Sequence, residues 1–132
     1  MGLDINQVRI ELIDIINRHP NKTGGDTDEY GEKSCVYFKD KDGTFISNVL
    51  EEYQNYDENR LAIPVCIVGQ WVHDFHPELK KNQLFQNVLF KNAVLSSSLE
   101  AKQVLGKEVH DLLSEVQAQQ DSLEVTWKDL DF

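Results

Sequence analysis

The chain reads as an α+β protein, mainly α: a single domain over residues 1–132 with about five helices and one short β-hairpin. Three observations predict this. Apolar residues recur at helical spacing in several separate stretches, and an Asp-Gly pair sits between two runs of β-branched and aromatic residues. At 132 residues, with 40% hydrophobic and 27% charged side chains, the chain also has the composition of one globular unit able to bury a core without metal or disulfide staples.

From Asp4 to Arg18, residues Ile5, Val8, Leu12, Ile15 and Ile16 share one helical face. Asp4 is placed to cap this helix, and Arg18-His19-Pro20 to stop it. Ile10 and Ile13 widen the apolar stripe, which predicts a helix covered on more than one side. Residues 24–33, dense in Gly, Asp and Glu, read as a flexible acidic loop. A β-hairpin is expected over 34–47, with Cys35-Val36-Tyr37-Phe38 as one arm, Asp42-Gly43 as the turn and Thr44-Phe45-Ile46 as the return. A lone hairpin is marginal in water, so it must pack on helices. Val49, Leu50 and Tyr53 then predict a brief helix over 48–53.

Pro64 suits the first position of the next helix, whose interior runs from Val65 to Phe75 before His76 and Pro77 end it. Gly69 lies inside that helix, where glycine costs about 1 kcal/mol against alanine. Its presence predicts close approach by another helix or by the hairpin. Leu79, Leu84, Phe85, Val88 and Leu89 suggest a further helix. A long amphipathic helix is expected over 97–120, opened by a Ser97/Glu100 capping box, with Val104 or Leu105, Val109, Leu112, Leu113 and Val116 along its stripe. A last turn starts at Thr126, folding Trp127 and Leu130 back onto the body.

Acidic residues outnumber basic ones 23 to 13, a formal charge of −10. Such a surface repels phosphate backbones and anionic lipid, so neither nucleic acid nor membrane is an expected partner. A basic protein remains a fitting partner, including one whose nucleic-acid groove an acidic surface would occupy. No stretch approaches the ~18 apolar residues of a membrane span, and the opening residues lack the pattern of a signal peptide, so a cytoplasmic location is expected. Asn6 stands where a myristoylation signal needs Ser or Thr.

The segment "IPVCIVGQWVHDFHP" gathers Cys66, His73 and His76. A structural zinc site needs four Cys or His ligands in close pairs, and His73 with His76 supplies one pair only, with Asp74 as a further oxygen donor. These histidines equally suit a helix C-terminus, where the dipole favours a cation. Calcium loops fail around Asp26 and around Asp40, because Tyr30, Tyr37 and Phe38 occupy ligand positions. Cys66 falls in the first turn of its helix, where the dipole can lower a thiol pKa, and His19, His73 or His110 is a candidate base that the fold could bring near. His73 is excluded as that base because seven residues of helix span roughly 10 Å. Cys35 and Cys66 otherwise read as free thiols packed like small hydrophobes. No phosphate-binding glycine loop, G-x-S-x-G elbow or H-E-x-x-H is present, and no cofactor is expected. Tyr53, Tyr56, Trp127 and Asp129, aromatics among acidic neighbours, form a candidate partner-binding patch.

Three pieces taken together, "CVYF" with its glycine turn, "IPVCIVGQWV" and "VQAQQDSLEVTWKDL", resemble a group of small uncharacterised proteins carried by bacteriophages and some actinobacteria. Cys35, Pro64, Cys66, Gly69, Gln117, Gln120, Asp121 and Trp127 carry the likeness, over about Cys35 to Leu130. The chain departs from the pattern by the longer insertion "ISNVLEEYQNYDENRLA" before Pro64. The resemblance implies a phage or mobile-element setting and a mainly helical fold, with no activity to carry over. Asp121 is expected past the long helix, capping the Trp127 turn. The resulting expectation is a non-enzymatic acidic protein–protein interaction module that binds a host or phage protein. Two alternatives stay open: an acidic inhibitor that mimics nucleic acid, and a small cysteine-dependent enzyme using Cys66 and a histidine.

Overall fold

A computed structural model describes residues 3–23, 26–27, 33–34, 36–43, 58–91, 94–123 and 125–132. Helix α1 spans Ile5–Arg18, and the Asp4 side chain caps it by accepting from the Asn6 N–H at 2.9 Å. Its inner face buries Val8, Leu12 and Ile15 together with Glu11. Helix α2, Ile67–Phe75, lies at the centre, with all six residues from Ile67 to Val72 buried. It packs against α1 and against α5, Lys107–Leu123. Between the latter two helices in sequence come a 3₁₀ turn over Pro77–Lys81, α3 over Gln83–Lys91, a 3₁₀ turn over Leu95–Ser97, and α4 over Leu99–Leu105. The fold is thus mainly helical, with five α-helices and short antiparallel β pairs among the described residues. One hydrophobic cluster runs from Val8 through α2 and α5 to Leu130.

Short antiparallel β pairing is present as expected, in two pairs among the described residues. Strands β1, Asp26–Thr27, and β2, Lys33–Ser34, pair antiparallel inside the stretch read as a loop. Two-residue strands are too short to carry a period-2 signal. Strand β3, Phe38–Lys39, pairs antiparallel with β4, Ile63–Pro64, in the register Phe38↔Pro64 and Lys39↔Ile63. The turn after β3 forms, with the Gly43 N–H donating to the Asp40 carbonyl at 3.0 Å and the Asp40 carboxylate accepting from Asp42 N–H at 2.9 Å. It centres on Lys41 and Asp42 rather than on Asp42-Gly43, and Gly43 follows at φ +85°, where glycine is unstrained. The return arm from Thr44 and the expected helix over 48–53 lie outside the described residues.

Pro64 is a strand residue rather than the first residue of a helix. It faces Phe38, while the flanking Ala62 and Val65 N–H groups donate to Lys39 and Tyr37 carbonyls, so the missing proline donor costs the pair nothing. The helix starts three residues later, at Ile67, because Cys66 serves as its N-cap. Gly69 meets the expectation of close approach: a Cβ there would lie 2.2 Å from the Tyr37 carbonyl oxygen.

The helix expected over 97–120 is two helices. Gly106, at φ +85° and ψ 156°, is the C-cap of α4, and its carbonyl accepts from His110 N–H to start α5. Only glycine enters that backbone region readily, and the break turns Ala101 and Leu105 and then Val109, Leu112 and Leu113 onto one core. The capping box shifts as well. Ser98 caps α4 by accepting from Ala101 N–H at 3.1 Å, and Glu100 instead accepts from Asn87 at 2.9 Å. Thr126 opens a 3₁₀ turn over Trp127–Asp129, as expected, and the segment is tied to the turn that follows the first helix by Trp127 N–H to the Lys22 carbonyl and Lys128 N–H to the Pro20 carbonyl.

Candidate functional site

The two ends of α2 hold the residues the sequence singled out. At its start, Cys66 is fully buried, and its Sγ accepts from the Gly69 N–H at 3.3 Å. Burial pushes the thiol up from its ordinary 9.0 to about 12, against the opposing hydrogen bond from Gly69. The helix-start environment was expected to lower it; desolvation outweighs the dipole here. His110 is elsewhere, its ring nitrogens at 2.8 Å from the Leu95 carbonyl oxygen and 3.2 Å from Asp111. No hydrogen bond joins it to Cys66 among the described residues, and burial favours the protonated thiol over the reactive thiolate. The Cys66/His110 pairing is therefore not formed.

What surrounds Cys66 is a polar brace. The Gln120 Oε1 accepts from the first N–H of α2, that of Ile67, at 2.8 Å, and from Trp127 Nε1 at 2.9 Å. Its Nε2 donates to Asp121 at 3.1 Å, and Gln117 Nε2 donates to the same carboxylate at 3.2 Å. Asp121 sits inside α5, not past it, and accepts hydrogen bonds from two glutamines instead of capping the Trp127 turn. The "P-x-C-I-V-G", "Q-x-x-Q-D" and Trp pieces thus converge on one structural joint, in which a single amide oxygen satisfies both a helix N-terminus and a buried indole.

At the other end, His73 and His76 turn apart. The His76 Nε2 lies 2.8 Å from Glu11 and its Nδ1 3.2 Å from Glu78, so both ring nitrogens face carboxylates. Glu11 also accepts from Trp71 Nε1 at 2.9 Å. His73 is exposed, and its Nδ1 accepts from Lys80 Nζ at 3.0 Å, an ammonium where a metal would have to sit. Burial, then Lys80, lowers the His73 pKa. Asp74 accepts from Arg18 and Gln70, each at 2.9 Å. No group of three potential metal ligands occurs among the described residues.

Of the expected aromatic patch, Trp127 does not reach the surface. Trp127 is fully buried, with the Lys22 ammonium 5.0 Å from its ring centre. Asp129 is at the surface, accepting from the Thr126 hydroxyl at 3.1 Å. Tyr53 and Tyr56 lie outside the described residues, as does Cys35.

The surface feature with the clearest docking chemistry is one the sequence reading misassigned. Ile10 and Ile13, taken there as evidence of a second cover, are 61% and 50% exposed on α1. They lie about 60° apart around the helix, on the side away from the buried Val8, Leu12 and Ile15. Asn6 and Asn17 fall between them, and Arg9 and Asp14 flank them. Arg9 has no ion-pair partner among the described residues, whereas Asp14 pairs with Arg18 at 3.0 Å on the exposed surface. The helix itself is held firmly, because Glu11 on its inner face anchors Trp71 and His76. Val94 and Leu99, at 67% and 80% exposure, are the other strongly exposed aliphatics among the described residues. The signal was present in the sequence: apolar residues off the main stripe call for a cover, but not necessarily one from the same chain.

Comparison with protein-family models, with curated proteins and with solved structures finds no match. No helix among the described residues is long and apolar enough to cross a membrane.

Proposed function

We propose that this protein is a non-enzymatic, acidic protein-binding module of phage or mobile-element origin, which docks on a host or phage protein through the outer face of α1. The observation that carries this reading is the pair Ile10 and Ile13, half or more exposed on a helix whose other side is locked into the core. Two isoleucines on a rigid helix form a contact that costs little ordering entropy on binding. The net charge of −10 supports a partner with a basic rim, since opposite charge speeds encounter and rejects wrong partners. The phage setting rests on the motif resemblance alone.

Affinity capture from bacterial lysate tests the reading. The wild-type chain retains a partner, and Ile10→Lys with Ile13→Lys releases it while Leu99→Lys does not. Capture undiminished by the double variant overturns α1 as the docking face. Repeating the capture at high salt separates this module from a nucleic-acid mimic, whose binding collapses as charges are screened, whereas contacts between apolar side chains survive.

A further inference from the structure

We infer that the outer face of α1 pairs in parallel with the same face of a second copy of this chain. The inference rests on the reading that this face docks a protein, and it names a second copy as that protein in place of a basic-rimmed one, with the Arg9–Asp14 match across the seam working against the repulsion between two chains of charge −10. Written as a heptad, α1 places Asn6 and Ile13 at d positions, Ile10 and Asn17 at a positions, Arg9 at g and Asp14 at e. The apolar seam is short and interrupted by asparagine at both ends. An asparagine at an a position is a device that fixes register between identical helices, because each amide finds its own copy across the seam.

Charge selects the orientation. In a parallel pair the g position of one helix meets the following e position of its mate, which sets Arg9 against the second copy's Asp14 twice over. An antiparallel pair sets g against g and e against e; in the register that sets residue 17 against residue 6, Arg9 falls beside the second copy's Ile16 and Asp14 beside its Gln7, so neither charge gains a partner. Only the parallel arrangement supplies a partner to Arg9, which has none within its own chain among the described residues. Asp14 engages Arg18 through one carboxylate oxygen, Oδ2, which leaves the other to accept from across the seam. Leu3, the a position before Asn6, does not extend the seam, because it packs on the core and its N–H donates to the Leu105 carbonyl.

A seam of about two heptads falls at the low end of interface size, so the pair is a weak and reversible one with a dissociation constant in the micromolar range or above. Sedimentation velocity over a wide concentration range tests it on the intact protein. The wild type rises with concentration from the monomer mass toward twice that mass. Ile10→Lys stays monomeric at every concentration, and Leu99→Lys behaves as wild type. Arg9→Asp weakens association about tenfold, and adding Asp14→Arg restores it. Asn17→Cys reports orientation: under mild oxidation it forms a covalent dimer if the helices run parallel, and an antiparallel pair, which sets residue 17 against residue 6, leaves it unlinked. A wild type that remains monomeric throughout overturns self-pairing. If Ile10→Lys nonetheless loses a lysate protein, the docking reading survives with a foreign partner; if it loses nothing, both readings fail.

Discussion

Helices α1 and α2 lie against each other, and both carry aliphatic residues on more than one side, yet their surroundings are opposite. Around the first six residues of α2, cover comes from every direction: α1 and α5 pack on the helix, the Tyr37 carbonyl presses on Gly69, and the 77–81 turn lies against the far end, so that Ile67 to Val72 are all buried and His73 is the first to reach the surface. Around α1 only the inner side is covered, and Ile10 and Ile13 face outward. The difference teaches that a broad apolar stripe specifies a demand for cover without saying which molecule meets it. Small details at α2 mark the difference, since its glycine and its thiol cap admit close neighbours, and α1 has neither.

The enclosure of α2 is broken most deeply by alkali. In the unfolded chain the Cys66 thiol loses its proton near 9.0, but in the folded protein it holds it to about 12. The folded state therefore binds the extra proton between those values. Stability is full below pH 9 and falls as pH climbs through 12, by a few kcal/mol at most for this one group. Burial raises the Tyr37 phenol as well, which steepens the loss at the upper end. Urea unfolding at a series of pH values reads this loss. Cys66→Ser, whose hydroxyl still caps the helix and does not titrate, flattens the slope between pH 9 and pH 12; an unchanged slope refutes the assignment to Cys66.

Gly69→Ala attacks the same enclosure by size rather than charge. With backbone oxygen 2.2 Å from the new methyl, either α2 or the Tyr37 strand must shift, at a cost of about 1–3 kcal/mol. Chemical denaturation shows it as a lower midpoint at constant slope. Least of all is expected from Ile10→Lys on the open side of α1, where thermal unfolding of dilute protein moves by less than about 0.5 kcal/mol. A larger loss would mean that Ile10 is covered within its own chain, and the contrast between the two helices would disappear.

Local signals were legible where they were strong. Asp4 caps the first helix as the spacing predicts, His76 and Pro77 end the second, and Thr126 opens the last turn. Misplacements came where two short-range rules compete. Pro64 fits a helix start and an edge strand equally, and the pairing with Phe38, set by distant residues, decides for the strand. Ser97 and Ser98 both precede an acidic residue at plausible spacing, and Gly106, ordinary in composition, divides a stripe that looks continuous. Site chemistry was least legible. Cys66, His73 and His76 are read correctly as lying toward the two ends of one helix, but burial and partner choice, which set their chemistry, depend on Glu11, Gln120 and Lys80 from far along the chain or on the next turn.

The Gln120 oxygen that receives both the Ile67 N–H and the Trp127 indole also has a meaning in time. A ribosome delivers α2 more than fifty residues before its cap, so the central helix emerges with its first amide and its apolar girth still wet. Until the 120–130 stretch leaves the exit tunnel, the nascent chain has no way to seal that joint. Completion of the core is therefore tied to a late event in synthesis, and a chain cut short before Gln120 presents the quality-control proteases with an unfinished interior rather than a smaller stable fold.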